Sequence, residues 1–97
     1  MLHDIKIKSE FADAVLCGDK SFEIRKNDRG YQKGDRIRFM VVGDIARYFS
    51  GSKVVETIYE NPKHELNGKI FEITYVLSDW GLEPGYVALA IKPILEV

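Results

Sequence analysis

Cysteine is almost missing from this chain. Cys17 stands alone, which excludes an internal disulfide and the usual zinc spacings. Only two histidines occur, His3 and His64, far apart, so a metal site would have to be improvised from carboxylates. No metal and no cofactor is therefore expected. No apolar run approaches the roughly 20 residues of a membrane span; the longest, Tyr86 to Ile91, is short and holds two alanines. The opening Met-Leu-His-Asp-Ile-Lys has neither an apolar signal core nor an Arg/Ser-rich transit pattern. A cytoplasmic protein without a membrane partner is the expectation. Gly-x-x-x-x-Gly-Lys-Ser/Thr and Gly-x-Gly-x-x-Gly are absent, and no serine sits in a nucleophile-elbow context.

What remains is ordinary globular material, 45% hydrophobic and 30% charged over 97 residues. That length predicts one domain, 1–97, able to bury a core without covalent staples. A net charge of -1 argues against a strongly cationic binder of long duplex DNA. Its distribution is uneven. Between Lys20 and Arg38 stand Lys20, Arg25, Lys26, Arg29, Lys33, Arg36 and Arg38 against Glu23, Asp28 and Asp35. A basic stretch on a neutral chain suits an anionic ligand of limited size, or else a solvated hairpin.

Along the chain, His3 to Lys8 alternates, with Ile5 and Ile7 on one side, and reads as a first strand. Ser9 is placed to cap a helix, and Glu10 to sit at the positive end of its dipole. Phe11, Ala14 and Val15 form the predicted buried stripe, and Cys17 reads as a small buried hydrophobe. Gly18 supplies the left-handed stop. Lys26 to Asp35 is a loop. Arg36 to Val42 is a strand with Ile37, Phe39 and Val41 inward. Asp44 to Phe49 reads as a short helical turn or an irregular excursion. Lys53 to Tyr59 reads as a strand with Val54, Glu56 and Ile58 on one side, broken by Pro62. Asn67-Gly68 is a hairpin signal leading into Lys69 to Leu77, where Phe71, Ile73, Tyr75 and Leu77 share a face. After Pro84-Gly85, placed for a type II turn, Tyr86 to Pro93 closes the fold with Val87, Leu89 and Ile91 inward. One helix and five or six short strands predict an α+β, mostly β fold, a small antiparallel sheet curling toward a barrel.

The chain is organised around Gly18-Asp19-Lys20-Ser21-Phe22-Glu23-Ile24-Arg25. Strand alternation sets Phe22 and Ile24 toward the core and Ser21, Glu23 and Arg25 toward a partner. Pairing antiparallel with Arg36 to Val42 would join Glu23, Arg25, Arg36 and Arg38 into one outer surface, or into a salt-bridge ladder. Trp80 lies in a loop, where a large ring has little packing reason to be, and is the preferred stacking face for a base.

Gly18-x-Lys20-x-x-Glu23-x-Arg25 resembles the signature of the ASCH domain, a small PUA-like barrel. Lys26-Asn27-Asp28-Arg29, Lys33-Gly34-Asp35-x-Ile37 and Gly81-Leu82-x-x-Gly85-Tyr86-Val87-x-Leu89 resemble one small bacterial and phage subfamily of it, over most of the chain except about Asp44 to His64. The resemblance implies a PUA-like barrel with one N-terminal helix. It also implies a cleft beside the helix–strand junction that binds RNA or a modified nucleoside or nucleotide. The residues it marks are Lys20, Ser21, Glu23, Arg25, Lys26, Asn27 and Arg29, with Trp80 as the stacking face. Some ASCH proteins are amidohydrolases that deacetylate N4-acetylcytidine with a lysine, a threonine and a glutamate. Lys20 matches the lysine, Glu23 stands at the threonine position, and no glutamate aligns within Asp44 to His64. Lys20 and Glu23 are thus the candidate catalytic pair of an alternative, hydrolytic function; a protein-interaction module is the other alternative.

Overall fold

A computed structural model describes residues 1–95, with backbone alone at 44–50 and 55–59. The order is β1 (Leu2–Lys8), α1 (Ser9–Cys17), β2 (Phe22–Lys26), β3 (Arg36–Ser50), β4 (Lys53–Glu60), β5 (Ile70–Ser78) and β6 (Tyr86–Pro93). The protein is mostly β with one short helix. Five strands run β1-β3-β5-β6-β2 across a curled sheet, and β4 pairs with β3 as a hairpin. Among the described residues no helix is long and apolar enough to cross a membrane.

One pairing departs from the expected antiparallel sheet: β1 lies parallel to β3, setting Ile5 beside Phe39 and Ile7 beside Val41. A parallel pair needs a long crossover, and α1, β2 and the 27–35 loop supply it. The helix packs on β1 and β3 through Ala12 and Val15. Phe11, expected in the buried stripe, is 44% exposed, and Cys17 is exposed as well. Nor does Ser9 cap the helix. Lys8 holds the cap position, and the Ser9 hydroxyl donates to the Val42 carbonyl at 3.0 Å, tying helix to sheet.

The core joins Ile5, Ile7, Ile37, Phe39, Val41, Phe71, Ile73, Val87, Leu89 and Ile91 from the strands. Tyr31 and Leu66 enter it from loops, where no periodicity marks them. In β5 the expected single face breaks. A bulge between Ile73 and Tyr75 turns Tyr75 out and leaves Val76 packed on the core. β3 runs on through the segment expected to be a helical turn or irregular, to Ser50, and turns at Gly51 into β4. The side chains of Glu56 and Ile58 lie outside the described residues.

Asn67-Gly68 makes no hairpin, because β4 and β5 are not neighbours in the sheet. Asn67 is a bridge instead. Its Oδ1 accepts the Val41 N–H at 2.7 Å and its Nδ2 donates to the Asn61 carbonyl at 2.6 Å. His64 binds the same connection to the helix. Its Nδ1 accepts the Leu66 N–H at 3.1 Å, so Nε2 carries the proton donated to Asp13 at 2.6 Å.

His3 is buried. It donates through Nε2 to Asp35 at 2.9 Å and meets the Tyr31 ring edge-on, with centroids 4.8 Å apart. Asp35 also accepts from the Met1 amine and from Gln32 N–H. The His3 hydrogen bond, above all, lowers the Asp35 pKa, and the latch pins the 27–35 loop to β1.

Asn67→Ala is expected to leave the Val41 N–H unpaired and to cost about 1–3 kcal/mol in urea unfolding. A depressed carboxylate stabilises the fold above its ordinary value of 3.8 and loses that contribution as pH falls below it. The urea midpoint of the wild type should therefore exceed that of Asp35→Asn at neutral pH. The gap should narrow as pH falls below 3.8 and the Asp35 carboxylate takes up its proton.

Candidate functional site

Gly18, at φ 88°, stops the helix and gives its N–H back to Val15 at 3.2 Å. Two residues later Lys20 N–H reaches Ala14 at 3.0 Å, so the chain leaves the helix in a defined direction and enters β2. β2 pairs antiparallel with β6 and not, as expected, with β3. Glu23 stands opposite Leu89 and Arg25 opposite Val87, whereas Phe22 and Ile24 stand opposite Ala90 and Ala88. Directly opposed residues share a face of the sheet. Val87 and Leu89 are buried, so Glu23 and Arg25 turn to the interior. Phe22 and Ile24 turn outward, 45% and 54% exposed. The expected facing of this strand is inverted.

A carboxylate brought inside must be paired, since burying it alone is far costlier than any one contact returns. Glu23, whose side chain is 6% exposed, takes Lys20 Nζ on Oε1 at 2.5 Å and Arg25 Nη1 on Oε2 at 3.3 Å. Lys20 also donates to the Phe22 carbonyl at 2.7 Å and lies over the rings of Phe22 and Phe11, 5.0 and 5.6 Å from their centroids. Arg25 continues to the Lys6 carbonyl on β1 at 3.0 Å. The triad therefore joins helix end, β2 and β1.

Above it opens a cleft of about 490 Å³ lined by Phe11, Asp19, Lys20, Phe22, Glu23 and Ile24. That volume lies within the range of small-molecule sites, and apolar walls around a few polar groups are their usual make-up. Of the residues singled out from sequence, Lys20 and Glu23 meet here, and Arg25 stands behind them. Ser21 is exposed, and its carbonyl accepts the Ile91 N–H at 3.1 Å. Lys26 is exposed at the end of β2. Asn27 is held in the turn, accepting Tyr31 N–H at 3.0 Å and donating its own to Gly85 at 2.8 Å. Arg29 reaches the Asp4 carbonyl at 2.5 Å. Trp80 is 85% exposed in the β5–β6 loop and does not line the cleft. The expected surface of Glu23, Arg25, Arg36 and Arg38 does not form, since Arg38 pairs with Asp4 across β1 and β3. Sequence reasoning missed Phe11, Asp19, Phe22 and Ile24. The aromatics are visible in the sequence, but an apolar-inward pattern places them in the core.

Among the described residues no three His, Cys, Asp or Glu side chains are grouped to hold a metal ion. Glu23→Ala is expected to strand two cations and to lower unfolding free energy by about 3–5 kcal/mol in urea titrations. Glu23→Gln, which keeps shape and an acceptor oxygen, should lose less.

Residues 2–91 match the family model described as Domain of unknown function (DUF3850). An "uncharacterized 12.9 kDa protein in GpA 3′ region" of Escherichia phage P2 is 32% identical over 79 residues, covering 81% of this chain. Those residues make up 59% of the phage protein, so the chain spans about three fifths of that relative. With the match running through β1, the Lys20–Glu23–Arg25 triad and most of β6, the chain belongs to the DUF3850 family.

Proposed function

We propose that this chain is a cytoplasmic ASCH-type, PUA-like module that binds RNA or a modified nucleoside through a base seated in the Lys20–Glu23 cleft. The observation that carries the proposal is a buried, doubly paired carboxylate at the foot of a cleft with two phenylalanine walls. A ring stacked on such walls is stabilised by about 1–3 kcal/mol. Glu23 accepts hydrogen bonds only, as it does from an exocyclic amine, and the Lys20 ammonium has a third N–H beyond the two engaged. An amine beside a ring-nitrogen acceptor is the edge of cytosine and adenine. Uracil and guanine present a carbonyl beside an N–H there, which fits the same pair turned round, with the N–H on Glu23 and the carbonyl on Lys20.

The amidohydrolase alternative asks for a lysine, a threonine and a glutamate, and only Lys20 has a counterpart in this chain. Binding is the better-supported activity. Cytidine and adenosine are expected to bind in isothermal titration. Phe11→Ala should weaken binding about tenfold, the loss of roughly 1.4 kcal/mol of stacking, with the melting temperature unchanged because Phe11 is exposed. Failure to bind any nucleoside would remove the proposal. Free cytidine released from N4-acetylcytidine would restore the hydrolase.

A further inference from the structure

A second cleft, of about 290 Å³, lies between β1 and β2 and is lined by Asp4, Ile5, Lys6, Arg25, Arg29 and Met40. β1 and β2 end the path of strands, and in place of a backbone ladder Arg25 of β2 and Arg29 of the 27–35 loop reach across to β1. Arg25 Nη1 donates to the Lys6 carbonyl at 3.0 Å, and Arg29 Nη1 to the Asp4 carbonyl at 2.5 Å. A guanidinium carries five N–H donors in a planar fork. The described hydrogen bonds of both side chains run through Nη1, leaving Nε and Nη2 of each for another acceptor. The acid lining this cleft is Asp4. Its carboxylate is already held bidentately by Arg38, Nε to Oδ1 at 2.6 Å and Nη2 to Oδ2 at 3.0 Å, which keeps its pKa below the usual carboxylate value. The cleft is thus cationic, with Lys6 as a third positive group.

Arg25 links the two clefts. Its Nη1 touches the Glu23 carboxylate under the first cleft and the Lys6 carbonyl beside the second. From this adjacency, and resting on the nucleobase assignment above, we infer that the ligand is a nucleotide unit and not a free nucleoside. Its base stands in the Phe11–Phe22 cleft and its phosphate on the Arg25 and Arg29 forks. Planar forks hold phosphate bidentately, as they hold carboxylate, and phosphate is the anion a nucleotide carries beside its base. The source is a mononucleotide or one unit of an RNA strand.

Isothermal titration with cytidine and adenosine, their 5′- and 3′-monophosphates, and a five-residue oligocytidylate tests this. The wild type should bind a monophosphate at least about tenfold more tightly than its nucleoside, the scale of one charge-assisted hydrogen bond. Arg29→Ala and Arg29→Lys should both bring that ratio to within about twofold and leave nucleoside affinity unchanged. Lysine keeps the charge and a donor for Asp4 but not the fork, so a ratio that survives in Arg29→Lys would overturn the forked contact. Arg36→Ala, an exposed charge outside the cleft, should leave the ratio intact; an equal fall there would overturn the assignment as general electrostatics. Nucleosides that bind as tightly as their phosphates would defeat this inference alone. No binding of any probe would defeat the base-binding proposal with it. Tightest binding of the oligonucleotide would identify an RNA strand as the source, and of a monophosphate a free nucleotide.

Discussion

An almost fully buried carboxylate, Glu23, governs how this molecule is put together. It is carried inward by the register of β2 on β6, which sets it opposite Leu89 in the core. Once inside it needs positive partners, and the chain supplies them from both sides: Lys20 from the turn after the helix, Arg25 from two residues further along the strand. Spacing matters here. A residue two positions away on a strand shares the face, and a residue three positions back reaches it because Gly18 has already redirected the chain. No described buried side-chain polar atom lacks a partner, the condition under which such a group is tolerated. The same register puts Phe22 and Ile24 on the outside, and the Phe22 ring becomes a wall of the cleft. Site and fold are therefore one arrangement.

Closure of the sheet follows from it. Free strand edges expose unpaired carbonyls, and proteins usually cover or pair them. Here the β1 edge is met by guanidinium groups, with Arg25 on Lys6 and Arg29 on Asp4. Side chains hold the edges farther apart than a backbone ladder would, and that spacing is what leaves room for the cleft between β1 and β2. The His3–Asp35 latch keeps the 27–35 loop, and with it Arg29, against the same strand. The basic stretch of the sequence is thus largely a closing device, and part of its charge is spent on backbone oxygens before any ligand arrives.

Much was legible before any coordinates. Regular alternation located β1, the first half of β3 and β6 with their inward residues. Gly18 marked the helix end, because a left-handed stop favours glycine. Lys20, Glu23 and Arg25 stood out as a group, and two of the three line one cleft. Illegible were the loop residues Tyr31 and Leu66, which enter the core without periodicity. The β5 bulge was hidden too, since one extra residue in a strand leaves no mark in an alternating pattern. Asn67-Gly68 misled for a related reason: the dipeptide specifies local backbone, and only the sheet order decides which strands it joins.

Taken alone, the amino-acid sequence determined most of the elements, the helix stop and the cluster of opposite charges around Glu23, all of which depend on residues within a few positions of one another. It did not determine which face of β2 is inside. In Phe-Glu-Ile-Arg either set satisfies alternation, and an apolar-inward rule selects the wrong one. The tertiary structure decided, because β6 is fully committed: Val87, Leu89 and Ile91 must all be buried, and Glu23 and Arg25, opposite Leu89 and Val87, are turned to the same face. That constraint is non-local, and its strength comes from three apolar side chains on a different strand outweighing two on β2.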